Sequence, residues 1–419
     1  MSPDQHRGTS ERAEPGQAPG RRIGWARVDS ARFVARSGRT RRRPTGRSTH
    51  DQEDALFTGS EPVPTALFPD LVEGALRDFF VSRIDLVEPI GGGYPEAVTA
   101  LESFVLRGGK RVRPAFAWNG WIGAGGDPSG LDAPAVLRAC SALELVQACA
   151  LVHDDIIDAS TTRRGFPTVH VEFAEQHRAS GWRGRPEQFG TAVAILLGDL
   201  ALAWADDMVR EAGLDSATTA RIAPVWSAMR TEVLGGQFLD IAGEVSADES
   251  VPAAMRVNRF KTAAYTIERP LHLGAALAGA DDALITAYRE FGTDIGLAFQ
   301  LRDDLLGVFG DPEVTGKPSG DDLRSGKRTV LYALALESAD ARDPEAARLL
   351  RESIGSDLSD ADVERLRTVI TELGAVDRVE RRIAALTDAA LATLDGSGAT
   401  DEGKARLRAA ALDATRRAA

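Results

Sequence analysis

The sequence predicts an all-α protein whose helices form one large domain from about residue 63 to residue 419. Apolar residues recur at helical spacing along this region, as Leu67, Leu71 and Leu76 do at its start, and this period is that of one helix face. No region shows the strand–helix–strand alternation of a nucleotide-binding sheet. Because 43% of the residues are hydrophobic, the chain can bury a large core.

The predicted helices are long, and they are separated by glycine-rich or polar breaks such as Gly91–Gly93. The polar segment Ala174–Gly190 contains helix-breaking glycines and a proline and is predicted to be a loop. The main helical spans are Tyr94–Leu106, Val136–Ile157, Ala192–Ala212, Thr218–Ile241, Val257–Ala278 and Ala283–Phe309, and further helices follow in the C-terminal third.

Residues 1–62 differ from the rest of the chain. They are rich in Arg, Gly, Ser and Pro and lack apolar periodicity, which predicts a disordered tail. The basic run Arg41–Arg43 could contact membrane lipid or nucleic acid, although a solvated tail is the simpler interpretation. A net charge of −12 argues against a nucleic-acid-binding protein as a whole.

The chain is expected to be cytoplasmic, without an integral membrane segment. No uninterrupted apolar run approaches the roughly 18 residues that a bilayer span requires, and the N-terminus lacks the apolar stretch of a signal peptide. Cys140 and Cys149 are the only cysteines, and both lie in an apolar helical pattern. They are interpreted as buried thiols rather than as a disulfide or a metal knuckle.

The most informative stretch is Leu151-Val-His-Asp-Asp-Ile-Ile-Asp158. A helix places Asp154 and Asp158 on one face, where their charges repel each other unless a cation lies between them. Carboxylate oxygens of this kind suit Mg²⁺, which shares its other coordination positions with water and phosphate oxygens. Arg163 and Arg164 follow closely, and forked donors beside a metal-loaded cluster indicate polyphosphate binding. A structural cluster of acids and bases is the alternative.

A second acidic pair lies far downstream, in Phe299-Gln-Leu-Arg-Asp-Asp-Leu-Leu-Gly307. Asp303 and Asp304 again end an apolar helix, and two such helix ends facing each other in a bundle would form a metal-bridged diphosphate site. Basic side chains accompany both motifs, some beside glycines whose backbone N–H groups can approach an anion closely. These residues are Lys110, Arg111, Arg113, Lys261, Lys317 and Lys327.

In their order and spacing, these motifs resemble the trans-type polyprenyl synthase family, which includes farnesyl and geranylgeranyl diphosphate synthases. The resemblance covers about residue 63 to the C-terminus. It implies a helical bundle around a deep central cavity and a homodimer. It also implies a prenyltransferase that joins isopentenyl diphosphate to C5, C10 or C15 allylic diphosphates with Mg²⁺ as cofactor, three ions per active site.

The resemblance assigns roles to individual residues of this sequence. The implied metal ligands are Asp154, Asp155, Asp158, Asp303 and Asp304. The implied contacts of isopentenyl diphosphate are Gly109, Lys110, Arg113, Gln147 and Arg164. The allylic diphosphate and the reacting carbons would be contacted by Arg163, Lys261, Thr262, Gln300 and Lys317. Gln237 and Asp240 belong to a further family element. The residues with implied catalytic roles are Asp154, Asp158, Asp303, Lys261, Thr262 and Gln300.

The sequence departs from the family at Gly307, where the second motif usually ends in a third aspartate. The departure puts the binding strength of one magnesium ion in doubt. Asp303 and Asp304 remain, so activity is expected to survive.

Product length is expected to depend on Cys149 and Ala150, which lie about one turn before Asp154. Farnesyl synthases often carry aromatic residues there, so small residues imply a deeper pocket and a C20 product, geranylgeranyl diphosphate. Val146 lies further along the same path. A C15 or a longer product is the alternative, and the small residues could simply pack against a neighbouring helix.

Two other classes of protein could share this fold. A terpene cyclase would carry an Asn-Asp-x-x-Ser-x-x-x-Glu motif, which this sequence lacks. A non-catalytic regulatory subunit of a synthase would have lost acidic ligands, and Gly307 is the one hint of such a loss. Both remain alternatives to the synthase at this point.

Overall fold

The computed structural model describes residues 67–311 and 320–416. The predicted N-terminal tail and Lys317 lie outside these residues. Within the described part of the first half of the chain, there are eight α-helices, a 3₁₀ turn and a two-stranded hairpin. They are α1 (Phe68–Ser82), α2 (Ile84–Val87), a 3₁₀ turn (Glu88–Ile90), α3 (Tyr94–Leu106), α4 (Val112–Gly123), α5 (Ala133–Ser141), α6 (Leu143–Ile157), β1 (Thr162–Arg163), β2 (Phe166–Pro167), α7 (Val169–Ala179) and α8 (Pro186–Arg210).

The second half is entirely helical in the described residues. It comprises α9 (Ser216–Ser246), α10 (Val251–Val257), a π-helical segment (Asn258–Glu268), α11 (Arg269–Ala278), α12 (Asp282–Phe309), α13 (Asp321–Ser325), α14 (Val330–Arg342), α15 (Pro344–Ser353), α16 (Asp360–Glu372), α17 (Ala375–Gly396) and α18 (Asp401–Thr415). The prediction of an all-α fold is therefore confirmed.

The core is built from the apolar faces of these helices. One cluster joins α1 to α6 and α8, and Phe79, Phe80 and Trp204 meet there edge to face at 5.7–6.3 Å between ring centroids. This geometry suits the electrostatics of aromatic rings. A second cluster surrounds α14. A third lies around α12, with Tyr288 and Phe291 fully buried.

Close helix crossings place the π-helical segment between α9 and α12. A Cβ added at Gly236 would lie 2.2 Å from the backbone nitrogen of Lys261, and one added at Gly296 would lie 2.6 Å from the Cα of Ala263. Glycine is therefore required at both positions, because any side chain would force the backbones apart. π-Helical segments often occur at functional sites, and this one carries Lys261 and Thr262.

Two details of the predicted secondary structure are wrong. The segment Ala174–Gly190 is not a single loop, because α7 and α8 cover most of it. Buried Phe173 and His177 pack the apolar face of α7 against Phe189, so the polar residues only mark its solvent face. The predicted helix Val136–Ile157 is interrupted at Ala142. Near this break Ser141 Oγ donates to Leu137 O at 2.8 Å, a bond that commonly bends helices.

The span Ala133–Ile157 is long and apolar enough to cross a membrane by length and composition, but 78% of its most apolar window is buried inside the protein. Leu143 and Leu145 are fully enclosed there. The apolar character of this span is therefore explained by its place in the core.

The crossing of α4 and α11 generates a stability prediction. A Cβ at Gly274 would lie 2.1 Å from the backbone oxygen of Ala117, so Gly274→Ala should destabilise the protein by about 1–3 kcal/mol through overpacking. Gly235→Ala is the matched control, since nothing lies within 4 Å of its added Cβ, and it should stabilise α9 by up to about 1 kcal/mol. Urea unfolding of both variants measures the difference. Equal midpoints would contradict the described crossing.

Candidate active site

The first acidic motif ends α6, where three helices and the hairpin converge on its carboxylates. Asp154 Oδ1 accepts hydrogen bonds from Lys261 Nζ at 3.0 Å and from Gln237 Nε2 at 3.1 Å. Asp154 Oδ2 lies 3.5 Å from Arg163 Nη2. Burial opposes ionisation of Asp154, but the charges of Lys261, Lys327 and Arg163 outweigh it, so its pKa is lowered. Asp154 is therefore an ionised carboxylate surrounded by cations.

Lys261 connects the first motif to α9. Its Nζ also bonds to Asp240, one turn after Gln237 on that helix. Burial would favour neutral Lys261, but Asp154 and Asp240 raise its pKa above the ordinary lysine value. The ammonium group thus remains charged in a largely enclosed position, where it would attract an anion strongly.

The β1–β2 hairpin presents two arginines to different partners. Arg163 donates to Asp155, whose carboxylate is 1% exposed, at 2.7–3.0 Å. Arg164 has a left-handed φ of 53°, and its Nη1 donates to the carbonyl oxygen of Gly108 at 2.8 Å. Gly109 lies against the same guanidinium, which would be 3.4 Å from an added Cβ. The hairpin therefore joins the acidic motif to the glycine-rich Gly108–Pro114 segment.

Asp158 pairs with a lysine that the sequence motifs did not single out as a site residue. Lys327 Nζ lies 3.0 Å from Asp158 Oδ2. Burial disfavours the charge of Lys327, but Asp158, Asp322 and Asp154 together raise its pKa. The repeated Gly-Lys pair, at Gly316-Lys317 and again at Gly326-Lys327, had placed Lys327 among the basic side chains near the motifs, but without a role of its own.

The second acidic motif lies on α12, and it reaches the same π-helical segment from the other side. Asp304 accepts from Gln300 Nε2 at 2.9 Å, from Asn258 Nδ2 at 3.3 Å and from the backbone N–H of Val330 at 3.3 Å. Its neighbour Asp303 is half-buried. Asn258 precedes Lys261 by one turn, so the two acidic motifs form hydrogen bonds to neighbouring turns of the π-helical segment.

The structure distinguishes two kinds of predicted metal ligand. Asp155 and Asp304 are buried, with oxygens bonded to protein donors. Burial raises the pKa of Asp304 to about 7. Asp155 accepts hydrogen bonds from Arg163, and Asp304 accepts one from the backbone N–H of Val330 at the start of α14. Asp154 and Asp158 are more accessible and face basic side chains that ligands could displace.

A basic pocket of about 100 Å³ lies beside the hairpin. Arg111 forms a buried ion pair with Glu144 at 2.6 Å. Burial and the neighbouring charges of Arg163, Arg111 and Arg113 lower the pKa of Arg164, whereas Glu144 raises it. Crowded cations of this kind are expected where an anion binds. The pocket is lined by Phe104, Val105, Arg107, Arg111, Glu144, Gln147, Ala148, Leu151, Arg163, Arg164, Phe166 and Pro167.

Two residues that were predicted to contact isopentenyl diphosphate do not line this pocket. Arg113 is buried over the ring of Tyr265 at 3.9 Å and donates to Thr266 Oγ1 at 2.9 Å. Lys110 is exposed and lies 3.5 Å from Asp413 of α18. The structure therefore brings Gln147 and Arg164 into the pocket lining but leaves Lys110 at the surface.

The residues present fit magnesium as an ion that arrives with a phosphate. Among residues 67–311 and 320–416, no three acidic, histidine or cysteine side chains form a preformed metal cage. Mg²⁺ characteristically binds through one or two carboxylates and shares its other positions with water and substrate phosphates. Asp154 and Asp158, one turn apart at the end of α6, supply such carboxylates.

The residues predicted to limit product length line α6 before Asp154. Cys149 and Val146 are buried, and Ala150 is half-buried. Cys149 Sγ lies 3.7 Å from His153 Nδ1, and His153 in turn contacts the backbone of Ile195 in α8. Cys149 thus packs toward α8, whereas Ala150 is placed one turn before Asp154.

Comparison with known proteins agrees with this geometry. A geranylgeranyl diphosphate synthase from Mycobacterium tuberculosis is 37% identical over 353 residues, which cover 80% of this chain and 93% of the relative. A geranylfarnesyl diphosphate synthase from Aeropyrum pernix is 34% identical over 66% of this chain and 80% of its own. The crystal structure of a geranylgeranyl pyrophosphate synthase from Corynebacterium glutamicum, complexed with isoprenyl diphosphate and magnesium, superposes with a TM-score of 0.82. That protein is 51% identical, and the match covers 85% of this chain and 100% of the other.

A family model agrees with these individual matches. The model of the polyprenyl synthetase family covers residues 95–373, which include both acidic motifs, the hairpin and the π-helical segment. The chain therefore belongs to the polyprenyl synthetase family.

Proposed function

We propose that this protein is a Mg²⁺-dependent prenyltransferase that condenses isopentenyl diphosphate with C5, C10 or C15 allylic diphosphates, mainly to geranylgeranyl diphosphate. The observation that carries the proposal is the arrangement around the π-helical segment. Lys261 bonds to Asp154 at 3.0 Å, and Asn258, one turn earlier, bonds to Asp304 of the second motif. Arg163 also lines the basic pocket beside the hairpin.

Charge determines how the site would act. Arg163, Lys261 and Lys327 would hold the departing diphosphate, which carries most of the charge that develops as the allylic C–O bond breaks. When bound at Asp154, Asp158 and Asp303, three Mg²⁺ ions would supply Lewis-acid stabilisation of that diphosphate. The double bond of isopentenyl diphosphate, held near Arg164 and Gln147, attacks the allylic cation. A proton is then lost to the released diphosphate.

Exclusion of water is the second requirement, because water would trap the cation. The part of α6 before Asp154 would supply apolar surroundings, since its Val146, Ala148 and Cys149 are each no more than 3% exposed. No protein nucleophile is needed, and the buried Cys149 thiol, whose pKa burial raises to about 12, would not supply one. These properties fit a carbocation reaction in an apolar environment.

Incubation with labelled isopentenyl diphosphate, Mg²⁺ and each allylic primer tests the proposal. Extraction and sizing should give an elongated C20 diphosphate, and chelation of the metal with EDTA should abolish its formation. A cyclised hydrocarbon would indicate a terpene cyclase. Activity only in the presence of a separate synthase would indicate a regulatory subunit. A C15 or longer product would contradict only the proposed product length and would leave the proposed reaction standing.

We also propose that the enzyme is a cytoplasmic homodimer. Leu234, Phe238, Ile241 and Val245 follow a 4-3-4 spacing along α9, which places them on one helix face, and they are 37–83% exposed. A continuous apolar stripe of this kind marks an interaction surface. A second copy of the chain is the simplest occupant, because a two-fold axis brings the same stripe onto itself.

The role of Arg163 predicts a large kinetic effect. Arg163→Ala should lower kcat/KM for the allylic substrate about 100- to 1,000-fold, the usual effect of removing one preorganised donor to developing negative charge. Arg178→Ala is the matched control, since Arg178 is an exposed arginine paired with Glu187, and it should retain wild-type activity. A near wild-type rate for Arg163→Ala would refute the role.

The position of Cys149 predicts a change in product. Cys149→Phe should shift the product from C20 toward C15, because the larger ring would fill the space into which the growing chain extends. Cys149→Ser, of similar size, should leave the product length unchanged. Chromatography of the extracted prenyl alcohols measures both distributions. An unchanged C20 product from a folded Cys149→Phe enzyme would show that Cys149 only packs against α8.

The apolar stripe on α9 predicts the oligomeric state. Wild-type protein should elute at twice the chain mass in size-exclusion chromatography with light scattering, and Phe238→Asp should weaken the dimer at least 10-fold because it buries an unpaired charge. Val81→Asp is the control, because it places the same charge at an exposed apolar residue outside the stripe, on α1, where Val81 is 59% exposed, and it should remain dimeric. A monomeric wild-type protein would contradict the proposal.

A further inference from the structure

The basic pocket contains an arginine to which the family resemblance assigns no role. Arg107 directly follows α3 and lines the pocket together with Arg164. Of the residues that were expected to contact isopentenyl diphosphate, Lys110 and Arg113 do not line this pocket. Arg107 is therefore a cation of the pocket that the sequence motifs leave unexplained.

The N–H donors of Arg107 are available to a ligand, whereas those of the other pocket arginines are partly used. Arg111 and Arg163 form ion pairs with buried carboxylates, and Arg164 donates to a backbone carbonyl oxygen. Within the described residues, the Arg107 guanidinium makes no hydrogen bond, and its ion pair with Glu172, at 3.9 Å, is too long to be one. A guanidinium carries five N–H donors in one plane, so Arg107 can offer a forked pair of donors to a phosphate group.

An aromatic ring on the hairpin holds this guanidinium. Arg107 Cζ lies 4.7 Å from the centroid of the Phe166 ring, which is within the range of a cation–π contact. Phe166 lies opposite Arg163 in the pairing of β1 with β2, so its backbone position is fixed by the hairpin. Because a ring face is not a conventional hydrogen-bond acceptor, the contact restricts Arg107 and leaves its donors for an anion.

Two contacts in opposite directions join the end of α3 to the hairpin. Arg107 reaches from α3 to Phe166, and Arg164 reaches back from the hairpin to the carbonyl oxygen of Gly108, the residue after Arg107. Gly165, with a left-handed φ of 77°, turns the chain between Arg164 and Phe166. Both guanidiniums thus lie at the junction of these two segments, and both line the pocket.

We propose that Arg107 is a further binding residue for the diphosphate of isopentenyl diphosphate, and that Phe166 positions its guanidinium for this role. The inference rests on the proposed function and adds two residues to the substrate pocket that the family motifs do not include. Loss of a hydrogen bond to a charged group typically weakens binding about 10- to 100-fold.

Direct binding gives the first test. Isopentenyl diphosphate is titrated into the protein by calorimetry in buffer with EDTA, so that metal bound at the acidic motifs does not contribute. Arg107→Gln should raise the Kd about 10- to 100-fold. Arg77→Gln is the matched control, because it removes the same charge from an exposed arginine of α1 that pairs with Glu73, and it should keep the wild-type Kd.

Steady-state kinetics should separate the two substrates. Arg107→Gln should raise KM for isopentenyl diphosphate by a similar factor, while KM for the allylic diphosphate and kcat stay within about 2-fold of the wild type, because the lost contact is one of uniform binding to one substrate. A general folding defect would instead alter both KM values together.

A double-mutant cycle tests the role of Phe166. Phe166→Leu keeps an apolar side chain but removes the ring face, and it should raise the Kd for isopentenyl diphosphate about 2- to 5-fold. In the Arg107→Gln background the same change should have no further effect, because the two side chains act as one unit. Circular dichroism confirms that each variant is folded.

An unchanged Kd in Arg107→Gln, or an equal rise of both KM values, would overturn the binding role of Arg107. Full additivity of Arg107→Gln and Phe166→Leu would overturn the positioning role of Phe166. Failure of the proposed function is distinguishable from both, because the wild-type protein itself would then form no elongated prenyl product, whatever the behaviour of the variants.

Discussion

The structure depends on ionised carboxylates and cations held close together in a largely enclosed space. Asp154 alone faces Lys261, Gln237 and Arg163. Separating such charges from water is costly, and their mutual attraction offsets that cost only when each has a partner. Without substrate, the basic side chains neutralise the carboxylates. With metal and diphosphate bound, the carboxylates would pair with the metal and the basic side chains with the diphosphate. No buried charge would then be left without a partner.

Close helix packing brings these charged groups together. The π-helical segment carries Lys261 and lies between α9 and α12 because Gly236 and Gly296 allow their backbones to approach. The irregular hydrogen bonding of the segment changes which side chains face each neighbour, so Asn258 meets Asp304 while Lys261 meets Asp154. Two motifs about 150 residues apart in sequence, as Asp154 and Asp304 are, thus bond to neighbouring turns of one helix.

Sequence reasoning predicted the helical class, both acidic motifs and the arginines after the first one, because each depends on local periodicity or on a short, ordered pattern. It missed features created by tertiary contact. The C-terminal half of α7 was mistaken for a loop because its apolar face is short and because Gly181 and Gly184 follow closely after its end. The use of Asp155 and Asp304 as buried structural acceptors could not be read from spacing, since neighbouring aspartates look alike in sequence. Lys327 was predicted only as one of the basic residues near the motifs, and its pairing with Asp158 was not, because Asp158 lies 169 positions earlier.

The hairpin that carries Arg163 and Arg164 has a consequence for the geometry of the two substrates. Adjacent residues are one peptide unit apart, and the left-handed backbone at Arg164 turns their side chains toward Asp155 and Gly108 respectively. The separation of the two anions would then be set by covalent geometry and one unusual dihedral angle rather than by flexible side chains. Reaction partners in this enzyme would be spaced by the backbone itself, so an insertion in that turn would misalign both at once.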